Sequence, residues 1–145
     1  MPLPHPFAGL VIRYSYLWLS EHRSGAEEGR KDRPCAIVLV ATKAQKVTEV
    51  TVLPVTHTPP AVGDAAIEIP ASVKARLGLD DQRSWVVLTE ANRFNWPGPD
   101  LRPSKPGDVE SVAFGPLPFA FFERVRVGFL EALKDHRVST IVRTE

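Results

Sequence analysis

The chain has 145 residues, 43% hydrophobic and 24% charged, with a formal net charge of +1. That length and balance suit one domain, residues 1–145, able to bury a core without disulfides. They exclude a globally basic nucleic-acid binder, so any contact with a polyanion must come from a local patch. The single cysteine, Cys35, excludes an intramolecular disulfide, and its place in an apolar run predicts a buried, inert thiol. No apolar run is long enough to span a membrane. The N-terminus, Met1 to Phe7, lacks the basic start and apolar core of a signal peptide. A cytoplasmic protein without membrane contact is expected.

Three prolines in the first six residues make an extended lead-in. Gly9 to Leu19 reads as a strand, with Leu10, Ile12, Tyr14 and Tyr16 on one face and Val11, Arg13, Ser15 and Leu17 on the other. Ser20 to Asp32 is polar, charged and glycine-containing, and reads as a mobile surface loop. Cys35 to Thr42 is almost wholly apolar, as a strand covered on both faces would be. Val47 to Val55 alternates better and reads as a half-exposed strand. Pro54, with no amide hydrogen, marks a strand end or an edge.

Ala66 to Ile69 reads as a short strand. Ala71 to Leu77 reads as a short helix between Pro70 and Gly78. Ser84 to Thr89 is a further strand, and Arg93 to Trp96 either extends it or starts the next. Pro97 to Asp100 is a turn, and the chain stays irregular through Gly107. Leu117 to His136 is the one long helix, with Phe122, Val125, Phe129 and Leu133 at helical spacing. Val138 to Arg143 is a terminal strand or a frayed tail. Together these elements predict a mainly β fold, a small barrel or strongly bent sheet with a helix packed on it.

The stretch Arg33 to Pro60 carries the most chemistry. Arg33 opens the first β-rich run, and Thr56 and His57 close the second. Antiparallel pairing of the two runs would bring the Arg33 guanidinium beside Thr56 and His57 at one end of a sheet. A cation next to a hydroxyl and a titratable ring makes a reasonable phosphate site.

Gly9-Leu10-Val11-Ile12, a charged loop ending in Asp32-Arg33-Pro34, and Pro54-Val55-Thr56 follow one another in this chain. Ile69-Pro70, Leu77-Gly78-Leu79, Ser84-Trp85-Val86-Val87-Leu88 and the final helix continue the series. In that order the chain resembles the MazF/PemK/Kid family of toxins from bacterial toxin–antitoxin pairs. The resemblance covers most of the chain, and each of its motifs is short.

The resemblance implies an SH3-like β-barrel with a long C-terminal helix and one short helix, assembled as a homodimer. It implies growth inhibition by metal-independent, sequence-specific cleavage of single-stranded RNA, with no cofactor. A cognate protein antitoxin would compete with RNA by laying a disordered tail along the same groove.

Such cleavage needs a base for the ribose 2′-hydroxyl, a cation for the phosphorane, and an acid for the departing 5′-oxygen. Arg33 supplies the cation, since its planar fork holds two phosphate oxygens. The plain alternative is a surface Arg before a proline. Thr56 is either a hydroxyl donor to the phosphate or the cap of a strand end. His57 is either acid or base, or an exposed loop histidine.

Some family members place an Arg and an Asp on the strand near Trp85 to Glu90. Val87 and Thr89 stand there in this chain, and neither exchanges a proton near neutrality. Glu90 replaces the missing acid only if a bulge or strand end turns it to the right face.

His22 and Arg23 enter the site if the first loop closes over it. That loop also carries Glu21, Glu27, Glu28, Arg30, Lys31 and Asp32; its default reading is a solvated surface, and substrate or antitoxin contact is the lesser one. Asn92 and Asn95 are candidate readers of base edges, Arg93 a candidate phosphate contact, and Phe94 or Trp96 a candidate stacking platform. The plain reading puts the two aromatics in the core or at a dimer interface, with the Asn and Arg residues in a hydrogen-bonded turn. No grouping of His, Cys and carboxylates suggests a metal.

A second class of function stays open. The same barrel serves toxins that cut nothing and bind a topoisomerase, and a non-toxic regulatory binding module is a further option.

Overall fold

The computed structural model describes residues 3–25, 31–61, 65–104 and 111–143. Glu27, Glu28 and Arg30 of the first loop, and the stretch approaching Gly107, lie outside them. The described chain is mainly β, as expected. Its strands are β1 (Leu10–Tyr14), β2 (Arg33–Thr42), β3 (Thr48–Thr56), β4 (Ala66–Glu68), β5 (Trp85–Val87), β6 (Glu90–Trp96), β7 (Ala113–Pro116) and β8 (Ser139–Val142). Its α-helices are α1 (Leu19–Arg23), α2 (Ala71–Leu77) and α3 (Phe119–Lys134).

The eight strands form one sheet, ordered β4-β5-β3-β2-β1-β7, with β6 on β3 and β8 on β6. All pairings are antiparallel except β6 with β8. The alternation of β1 places its two sides in two cores. Leu10, Ile12, Tyr14 and Tyr16 join Cys35, Ile37, Val50, Val52 and Phe94. Val11 joins Ala36, Val38, Leu53 and Val55, with α2 and α3 packed over them through Val73, Leu77, Phe122, Val125 and Phe129. A strand buried on both faces reads as a continuous apolar run.

Several expectations change. Cys35 to Val38 is covered on both faces, but Leu39 to Thr42 is exposed. The strand expected to be half exposed is buried from Val50 to Val55, because β3 is central and pairs with β2, β5 and β6. Pro54 therefore marks neither an end nor an edge. It sits where the β3 ladder is interrupted. Val52 pairs with Asn92 and Val55 with Val86, so the five residues Val87 to Ala91 face only Leu53 and Pro54. A residue without an amide hydrogen is tolerated at such a bulge.

The expected strand Ser84 to Thr89 accordingly shortens to β5, and Arg93 to Trp96 belongs to the next strand, β6. The terminal residues form β8 rather than a frayed tail, and Arg143 is buried beyond it. In α3, Phe122, Val125 and Phe129 are buried, whereas Leu133 is 39% exposed.

The first loop is not wholly irregular. Leu19–Arg23 forms α1 because two carboxylates take the amides at its start: Trp18 N donates to Glu21 Oε1 at 3.0 Å, and Leu19 N to Glu90 Oε1 at 3.0 Å.

Candidate active site

The antiparallel pairing of β2 with β3, Cys35 opposite Pro54, sets Arg33 beside the end of β3. There the Arg33 guanidinium donates to the Val55 carbonyl at 3.3 Å and lies 4.8 Å from the centre of the Trp18 ring. Arg33 Nε is buried without a hydrogen-bond partner among the described residues. One face of the fork is thus fixed by an aromatic ring, and donor capacity remains for an anion.

Arg33, Thr56, His57 and Glu90 all line one cleft of about 770 Å³. Trp18, Ser20, Lys31, Val87 and Thr89 line it too. A second cleft of about 390 Å³ adjoins it and shares Lys31, Arg33, Thr56 and His57. The shared residues form a saddle with two cations, a hydroxyl and an imidazole. That is the equipment for holding one phosphate with room on either side.

Thr56 Oγ1 accepts a hydrogen bond from Thr58 N at 3.1 Å, the turn-capping role weighed from sequence. Its own hydroxyl proton stays available to donate, so the two roles coexist.

Glu90 reaches the cleft because of the break between β5 and β6, which supplies the bulge its role required. Tyr16 Oη donates to Glu90 Oε1 at 3.1 Å, alongside the Leu19 amide. Burial raises the Glu90 carboxyl above the ordinary range, and the charge of Glu21 adds to this. The Leu19 amide, the Tyr16 hydroxyl and Arg33 oppose it. A carboxyl held toward its protonated form is suited to giving a proton away.

His57 Nε2 lies 2.7 Å from Asp80 Oδ2. Asp80 follows α2, which Gly78 closes in the left-handed conformation at φ 72°. The Lys74 ammonium bonds Asp80 Oδ1, the Gln82 carbonyl and, at 2.7 Å, Ser84 Oγ. That hydrogen bond from Lys74 holds the Asp80 carboxyl below the ordinary range, against the burial that raises it, and His57 acts in the same sense as Lys74.

The expected RNA-binding residues do not gather here. Asn92 is 0% exposed. Its side chain accepts from Leu17 N at 2.8 Å and donates to Leu17 O at 2.8 Å, while Arg143 donates to it at 3.1 Å. Its hydrogen-bonding edge is spent, which corrects its reading as a base reader. Arg93 pairs with Glu49 at 3.8 Å and lines neither cleft. His22 and Arg23 are exposed on α1 and line neither cleft. Phe94 is buried and stacks on Tyr14 at 4.5 Å, and Trp96 packs on Phe94 at 6.2 Å, the plain reading of both aromatics.

Sequence reasoning missed Trp18, Asp80 and Lys74. No local motif marks them, because each reaches the site through the fold. Among the described residues, no group of three or more His, Cys, Asp or Glu is placed to hold a metal ion, and no helix is long and apolar enough to cross a membrane.

Comparison with known proteins finds no family model that matches the chain and no matching curated protein.

Proposed function

We propose that the chain is a toxin of the MazF/PemK/Kid type and a metal-independent endoribonuclease acting on single-stranded RNA. The observation that carries the proposal is the convergence of Arg33, Thr56, His57 and Glu90 on one cleft. In this reading the scissile phosphate sits on the saddle, bound by Arg33 and Thr56, with Lys31 adding charge. His57 takes the proton of the ribose 2′-hydroxyl, and that oxygen bonds to phosphorus. The bond from phosphorus to the 5′-oxygen breaks, and Glu90 protonates the departing oxygen. The products are a 2′,3′-cyclic phosphate and a 5′-hydroxyl.

Val87 and Thr89 line the cleft without titrating, and Glu90 takes over from the family's missing acid. The reading carries with it an SH3-like barrel, a long C-terminal helix, a cytoplasmic homodimer, and an antitoxin whose tail occupies the cleft. The inner cluster built from β1, β2, β3 and β6, closed without a helix, supports the barrel.

The test is purified protein with mixed-sequence single-stranded RNA and a chelator, read by end-group analysis. Discrete cuts with cyclic phosphate ends are expected, and an all-deoxy copy of the substrate should resist. A folded protein that cuts nothing overturns the proposal.

A second reading, a non-catalytic toxin that binds a protein target such as a topoisomerase, is favoured by one observation. Helix α3 exposes Phe119, Val127, Leu130 and Leu133, with Phe119 78% exposed.

A further inference from the structure

Lys74 is a buried cation with a complete set of partners. Its side chain is 5% exposed, and its three ammonium donors meet Asp80, the Gln82 carbonyl and Ser84. A surface lysine needs no such cradle, and a buried one requires an anion. That anion is Asp80, which is also fixed by the Gln82 amide at 3.2 Å. Its remaining oxygen, Oδ2, meets His57 Nε2 at 2.7 Å.

A carboxylate locked in this way only accepts, so the proton of a neutral His57 sits on Nε2 and its lone pair on Nδ1. His57 is one of the four residues common to both clefts, whereas Asp80 lines only the smaller one.

We propose that Asp80, anchored by Lys74, is the positioning residue that fixes the ring and tautomer of His57 and so makes it the base of the reaction. The arrangement uses the logic of base-and-orienter pairs, in which a carboxylate holds the imidazole without itself exchanging the proton. The ring nitrogen left over, Nδ1, receives the 2′-hydroxyl proton. The inference rests on the ribonuclease reading above.

The test combines two measurements on the full chain. Isotope-edited NMR of the imidazole nitrogens reads the tautomer of His57 in the free protein. Wild type should show the Nε2–H form, and Asp80→Asn a mixture; Nδ1–H or a mixture in wild type overturns the proposal. This reading on wild type stands even if Asp80→Asn fails to melt cooperatively.

Kinetics on single-stranded RNA are then compared for wild type, Asp80→Asn, His57→Gln and the double variant. Asp80→Asn should lower kcat by about 10²-fold or more with KM within about twofold, and should cost nothing further on the His57→Gln background. Two single losses that multiply in the double variant overturn the proposal. The two failures are distinguishable. A wild type inert on RNA removes the ribonuclease reading and the base role with it. A wild type that cuts, with Asp80→Asn unchanged, removes the role of Asp80 alone.

Discussion

Glu90 ties the site to the N-terminal segment, since Tyr16 and the Leu19 amide both donate to its Oε1. Its carboxyl is raised by burial, so the folded chain holds a proton that the unfolded chain releases. The consequence for stability follows from that sign. The favourable contribution of the protonated form is complete below the ordinary Glu value and is lost as pH rises through the folded one. Asp80 titrates in the opposite sense: its contribution is complete above the ordinary Asp range and is lost as pH falls through the lowered folded value. Replacing Glu90 by Gln removes the first effect and leaves the second. Glu90→Gln should therefore raise Tm relative to wild type more at about pH 8 than at about pH 5, as read by thermal melts. An equal difference at both pH values would place the Glu90 carboxyl in the ordinary range.

Asn92 gives a second prediction at this scale. Asn92→Ala leaves the Leu17 amide and carbonyl unpaired in the core, and should cost about 2–4 kcal/mol by denaturant titration. A base reader at an open surface would leave stability unchanged. Residue type and order in the chain were enough to single out Arg33, Thr56 and His57. They were not enough for Asn92, whose burial depends on the segment after β1 and on Arg143 at the far end of the sequence. Polar residues in the core and at a site look alike until their partners are known.

The break between β5 and β6 decides the architecture of the site. Leu88 lies within it, 4% exposed, and packs against α3 so closely that a Cβ at Gly128 would stand 2.7 Å from Leu88 Cδ1. The helix thus backs the turn that presents Thr89 and Glu90. Leu88→Ala should cost about 2–5 kcal/mol and lower cleavage, because the turn loses its anchor. Unchanged stability would show that the turn holds itself.

Element positions were legible where proline and glycine bracket the segment, as in α2, and where periodicity was clean, as in the two faces of β1. The break was not legible. Trp85 to Trp96 contains no glycine or proline, and only the competing ladders on β3 reveal the extra residues. The burial of β3 was underestimated for a related reason: Thr48, Glu49 and Thr51 suggest an exposed face, whereas three neighbouring strands cover its middle.

At the scale of the molecule, the C-terminus is part of the support for the site. β8 runs parallel to β6 with Ser139 opposite Glu90, and Arg143 beyond it pairs with Asp100 at 3.0 Å. First strand, bulge and last strand therefore meet around the same few residues. The sheet brings Arg33 and Thr56 together from residues 23 positions apart in sequence, and the α2–β5 connection adds Asp80. The cleft is a product of topology, while its charge comes from residues whose types were already suggestive.

The central claim is that Arg33 stabilises a phosphate undergoing transfer, and one comparison tests it most directly. Wild type and Arg33→Ala are incubated with the same mixed-sequence single-stranded RNA and chelator, with thermal melts run on both proteins. Wild type should cut at discrete sites leaving cyclic phosphate ends. Arg33→Ala should remain folded and cut at least about 10²-fold more slowly. Equal cutting by the two proteins, or no cutting by a folded wild type, would contradict the claim.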